Sequence, residues 1–147
     1  MVNTNRSAPA ATVVPVLIYE DVAKAIDWLS EVFGFSERLR AEHDGVVGHA
    51  QLAVREGAVM LGRQGGPFRS PQAAVVSQYV HVTVENVDRH FEHAKASGAT
   101  IVQRPTDMPF GERQYTAQDF AGHWWTFSQH VADVLPEAWG AKTATRT

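Results

Sequence analysis

The chain is written twice, and that repeat limits its possible folds more than any other feature. Residues 14–33 read VPVLIYEDVAKAIDWLSEVF, and residues 79–97 read YVHVTVENVDRHFEHAKAS. Each is a short strand rich in β-branched residues, then a polar cap, an amphipathic helix and a glycine, Gly34 or Gly98. A shift of 65 residues carries Glu20 onto Glu85, Asp21 onto Asn86, Val22 onto Val87 and Gly57 onto Gly122. A repeated supersecondary unit buries its apolar face against its own copy. Two half-barrels facing each other across a ligand cavity are therefore expected.

Val13, Val14, Val16, Ile18 and Tyr19 suit a pleated surface and predict a strand over 13–19. Asp21 can cap the next turn. Val22, Ile26, Leu29 and Phe33 recur at helical spacing, and Gly34 ends the helix. A strand over about 36–42 meets Asp44–Gly45, a two-residue hairpin signal. The return strand, about 46–54, turns at Glu56–Gly57 into 58–63, so the unit is βαβββ. Residues 64–76, QGGPFRSPQAAVV, read as a linker. The second unit repeats the order: a strand over 77–84 and an Asn86-capped helix with Val87, Phe91 and Ala94 inward, followed by strands near 100–104, 112–117 and 123–130. The expected organisation is one α+β domain of two tandem modules, about 13–63 and 77–130, joined by that linker. A tail, 131–147, should dock in part through Pro136 and Trp139 and end loosely.

A formal charge of −3 disfavours nucleic acid and anionic membranes as partners. The absence of cysteine removes disulfides and thiolate metal sites and agrees with a reducing compartment. No apolar run approaches the ~20 residues that cross a bilayer. The opening MVNTNRSAPAATVVP carries neither a signal-peptide pattern nor lipidation chemistry and reads as a flexible leader. A cytoplasmic protein with a small-molecule partner is the expectation.

The stretch ENVDRHFEHAKASGATIVQRPTDMPFGERQYTAQDFAGHWWTFSQH resembles the second module of vicinal oxygen chelate proteins. That group includes glyoxalase I, extradiol dioxygenases, fosfomycin-modifying enzymes and bleomycin-binding resistance proteins. The F-G-E-R-x-Y and D-x-x-G-H-x-W pieces are most similar to the glyoxalase/bleomycin-resistance branch, and the resemblance spans roughly residues 13–130. It implies paired half-barrels with a central cavity and a homodimer. In the family's enzymes four side chains, usually His or Glu, hold a metal. Carried over by counting from the helix caps and turn glycines, those places fall on Val14, Leu61, Tyr79 and Thr126. None is a good ligand for a divalent metal, so no metal and no cofactor are expected.

Other side chains carry two readings each. Strand alternation puts Tyr79, His81 and Thr83 on one face. His81 is then either a hydrogen-bonded barrel residue or a ligand contact and general base. Trp124 shares a face with Thr126 and is expected beside Tyr79, as an aromatic wall or as filling for a barrel that lost its metal. Gly111 should supply a special backbone angle. Arg113 serves either a structural ion pair or an anionic ligand group, and Glu112 points to the opposite face. His49 is in phase with Gln51 and can face the cavity with His81. His90 and His93, spaced i, i+3 among charged neighbours, read as a solvated helix face. Glu20 and Glu85 read as turn residues. The resulting expectation is metal-independent binding of a hydrophobic or aromatic small molecule, as in drug sequestration or resistance, through Tyr79, His81, Trp124, Thr126, Arg113 and His49. The alternative is a lyase, isomerase or transferase of the same family with a non-canonical site built on His81.

Overall fold

A computed structural model of the chain describes residues 4–72 and 75–145. Strand β1 (Val16–Tyr19) leads into helix α1 (Val22–Phe33) and strands β2 (Ser36–His43), β3 (Val46–Val54) and β4 (Gly57–Arg63). The copy follows as β5 (Tyr79–Thr83), α2 (Val87–Ala96), β6 (Thr100–Asp107), β7 (Glu112–Gln118) and β8 (Trp124–His130). Each unit makes a four-stranded sheet, in the orders β1-β4-β3-β2 and β5-β8-β7-β6. In both, the first and last strands pair in parallel and the other pairs are antiparallel. The architecture is the α+β pair of βαβββ modules read from the repeat.

Local chemistry sets the boundaries. The Asp21 carboxylate accepts from the Lys24 amide and the Asn86 side chain from the Arg89 amide, so both helices start on side-chain caps. Gly34 closes α1 in the left-handed region at φ 80°. Asp44 and Gly45, at φ 52° and 77°, make the first hairpin turn. The second hairpin turns on Arg55–Glu56 rather than Glu56–Gly57. Gly57 already pairs with Val54, and Arg55 takes the positive φ.

Both helices cover the same side of the molecule and share one core. Phe33, the last residue of α1, lies 4.8 Å from Phe127 and 5.7 Å from Trp125 of β8, ring centre to ring centre. Phe35 adds a 5.3 Å contact to Trp125. Leu17, Tyr19, Ile26 and Leu29 of the first module and Tyr115, Ala117, Trp125 and Phe127 of the second are all buried in this seam. A fully buried aromatic or aliphatic side chain of this size contributes roughly 1.5–3 kcal/mol, so each module supplies a large part of the other's core. The opposite faces of the two sheets carry no helix, and the barrel is not closed. Exposed apolar side chains stand there, among them Val16, Tyr79 and Val102.

The segment before β1 departs from the flexible leader expected of it. Arg38 donates to the Arg6 carbonyl and Gln51 to the Ser7 carbonyl, which lays residues 6–7 against the first sheet. At the other end, Pro136–Trp139 form a 3-10 turn whose Trp139 packs 5.4 Å from Phe110. The loose end expected of the tail extends into residues 146–147, and the linker includes residues 73–74; these lie outside the described residues.

Candidate functional site

The helix-free face of the second sheet is built by strand alternation. On β8, Trp125 and Phe127 point into the core, while Trp124, Thr126 and Ser128 point to the open side. The register aligns Tyr79 with Trp124, His81 with Thr126, and Thr116 with Thr126. A cavity of about 680 Å³ lies over this face, lined by Tyr79, Trp124, Thr126, Thr116, Gln114 and Met108, with Val76–Gln78, just before β5, along one edge. Its size falls within the range of small-molecule sites.

The polar groups of this face are engaged with one another. The Trp124 indole donates to Gln118 at 3.1 Å, which fixes the ring's orientation. Thr116 and Thr126 hydroxyls bond at 2.8 Å. Gln114 donates to Ser128, which donates to Glu112 at 3.1 Å, and Glu112 also meets His130 at 2.9 Å. The lining combines flat apolar surface with hydroxyl and amide groups. Among the described residues no carboxylate, imidazole or amine lines the cavity.

The remaining candidates fall elsewhere. His81 is exposed at the sheet edge and lines a separate recess of about 430 Å³ with Val54, Arg55, Val80 and Thr83. His49 lies on the open face of the other sheet, its Nε2 accepting from the Gln51 amide at 3.1 Å. Arg113 turns to the helix side, where it binds Asp107 at 2.6 Å and Asp88 at 2.9 Å. Those two carboxylates hold its guanidinium more firmly protonated than usual, and a ligand-clamping role for Arg113 is thereby corrected. Glu112 does take the opposite, open face, as alternation required.

Of the four places aligned with the family's metal ligands, Leu61 needs correction. It is fully buried on the helix side. His81 pairs with Thr126 while Val16, its repeat counterpart, pairs with Met60, so Met60 is the true counterpart of Thr126. Val14, Met60, Tyr79 and Thr126 offer no imidazole or carboxylate, and a thioether suits soft ions rather than hard divalent ones. Among the described residues no group of three or more His, Cys, Asp or Glu side chains is placed to hold a metal ion. The family's metal does not fit this donor set.

Two groups escaped the sequence reading. His90 is half-buried rather than on a solvated face: its ring centre lies 4.2 Å from Phe127, Nε2–H donates to the Phe33 carbonyl at 3.0 Å, and Nδ1 accepts from the Tyr115 hydroxyl. Burial lowers its pKa. His93, in contrast, is exposed and donates to the Glu31 carbonyl. Asp119, 2% exposed, accepts from the Tyr19 hydroxyl at 2.7 Å, from the Trp125 indole at 3.1 Å, and from the amides of Ala121 and His123. His123 reaches back to the Ile18 carbonyl at 2.8 Å. Burial, then the neighbouring Asp119 charge, push the Tyr19 hydroxyl pKa well up. The D-x-x-G-H-x-W piece is thus an inter-module latch, and its spacing was the signal available in the sequence.

The model of the Glyoxalase/Bleomycin resistance protein/Dioxygenase superfamily matches residues 11–127. An uncharacterised protein of Mycobacterium bovis is 33% identical over 127 residues, which cover 82% of this chain and 84% of that protein. An uncharacterised Mycobacterium tuberculosis protein is equally similar, with 75% of its length covered. Among solved structures, TioX from Micromonospora sp. ML1 is 41% identical with a TM-score of 0.71, covering 83% of this chain and 100% of TioX. A family enzyme from Burkholderia phytofirmans PsJN, 16% identical over 79% of this chain and 95% of its own, shares the fold at a TM-score of 0.64.

Proposed function

The chain belongs to the Glyoxalase/Bleomycin resistance protein/Dioxygenase superfamily, and we propose that it binds a hydrophobic or aromatic small molecule, without a metal, on the open face of its second sheet. The observation that carries this reading is the cavity of about 680 Å³ walled by Tyr79 and Trp124. A flat ligand stacks on aromatic rings held in fixed orientation, which places binding energy in buried area rather than in charge. The Thr116–Thr126 and Trp124–Gln118 bonds keep the lining rigid, so little side-chain ordering is lost on binding. Sequestration of a drug or metabolite needs affinity and no chemistry, and such a lining suits it.

A second copy of the chain completes the site. Tyr79 and Val102 stand exposed on a face that no helix or strand among the described residues covers, and a symmetric partner removes that apolar surface from water. Titration of the protein with a panel of aromatic compounds tests the reading. Saturable fluorescence quenching that disappears in Trp124→Phe supports it, and the absence of quenching across the panel overturns it. Sedimentation at micromolar concentration checks the dimer.

A further inference from the structure

We propose that the open face of the first sheet is a second binding site, for an acyl oxygen, and that the chain's own residues Arg6 and Ser7 occupy it as a built-in competitor. The repeat locates the site. A shift of 65 residues carries Gln51 onto Thr116, which lines the cavity of the second sheet. Gln51 projects from the equivalent place, pairing with Met60 as Thr116 pairs with Thr126. Yet it is only 2% exposed, because the leader lies over it.

The chemistry of the site is that of an oxygen acceptor's partner. One N–H of the Gln51 amide donates to the Ser7 carbonyl at 2.9 Å and the other to His49 Nε2. Its oxygen accepts from Arg38, whose other terminal nitrogen reaches the Arg6 carbonyl. His49 and Arg38 therefore lock the amide with its N–H outward, and the guanidinium and amide present donors side by side. Any amide, ester or carboxylate oxygen satisfies the same pair. The leader contributes backbone carbonyls alone, with half-buried Ala8 and Pro9 beside them. Both bonds run to backbone carbonyls, which any residue carries, and proximity in the chain supplies a high local concentration. The matched family region starts at residue 11, beyond this contact. An incoming acyl ligand gains the face by lifting the leader.

Docking of the leader does not depend on whether the second sheet binds an aromatic ligand, so the two readings fail separately. Trypsin cleaves after Arg6 only when that peptide leaves the sheet, whereas Lys142, exposed in the tail, is an internal reference. In the full chain, cleavage after Arg6 should lag that after Lys142. Gln51→Ala, which removes the donor to Ser7, should speed it by about tenfold, the effect of one to two hydrogen bonds. Arg38→Gln should have a smaller effect in the same direction, with thermal melting of both variants unchanged. N-acetylproline amide, at tens of millimolar, should then accelerate cleavage after Arg6 in the wild type in a saturable manner without affecting Lys142. Equal rates at both sites in the wild type, or no change in Gln51→Ala, overturn the docked leader. Cleavage unmoved by the probe overturns the exchangeable acyl site.

Discussion

The two modules are one topology with two different bare faces. Their helix sides are alike: a capped helix, a buried stripe and a central strand pair with apolar residues turned inward in each. On the open side they part. Sheet two presents Tyr79, Trp124 and a pair of bonded threonines to a wide cavity. Sheet one presents Val16, Ile18 and Met60 around a saturated Gln51, and the leader lies on it. Burial holds the repeat together where both copies must fill one core, and leaves it free where the copies face outward. The fold resides on one side of each sheet and the capacity for recognition on the other.

The sharpest way to break this division is to cut the latch that serves the fold alone. Asp119→Ala leaves the buried Tyr19 hydroxyl, the Trp125 indole and two backbone amides without their acceptor. Urea unfolding should show a loss of about 3–5 kcal/mol; a loss under about 1 kcal/mol would mean that the latch is ornamental. Next in size, Trp124→Ala should weaken an aromatic ligand about tenfold or more while changing stability little. Met60→Ala, on the other sheet, should leave that affinity untouched, and an equal loss from both would erase the distinction between the faces.

A smaller effect comes from pH. His90 is held neutral, its folded pKa lowered by burial, whereas in the unfolded chain it takes a proton near pH ~6.5. Its contribution is fully present above pH ~6.5 and is lost as pH falls below that value toward the depressed folded pKa, with a slope of at most about 1.4 kcal/mol per pH unit. In His90→Asn that slope should shrink when unfolding is followed from pH 7.5 to 5. Smallest of all, Arg113→Gln removes only exposed, solvent-screened ion pairs and should leave both the urea midpoint and ligand affinity unchanged.

Most of the fold was legible because cap, stripe and stop signals agree within each unit. Asp21 and Asn86 mark helix starts, and alternation alone separates Trp124 from Trp125. The failures have physical causes. Leu61 was placed by counting from Gly57 as Thr126 was from Gly122. Gly57 already lies in its strand, however, while Gly122 sits two residues before β8, so the last strands differ by one residue and the face flips. Arg113 follows Tyr115 in phase and so belongs to the helix side; its charge drew attention that its register did not support. Asp119 drew no structural reading beyond its motif, since a carboxylate is rarely buried without several donors, and the donors come from three separate segments. The leader's contacts run through backbone carbonyls, which leave no pattern in a sequence.

The seam at Phe33 also bears on how such a chain can be cut or recombined. Because α1 ends in the other module's core and Tyr19 bonds to Asp119 across it, the linker joins two halves that complete one another rather than two independent folds. Fragments divided within residues 64–72 should reassemble when co-expressed and remain unfolded apart. A chimaera that exchanges one half with a relative will hold only if both sides of the seam travel together. The unit of inheritance here is the interface.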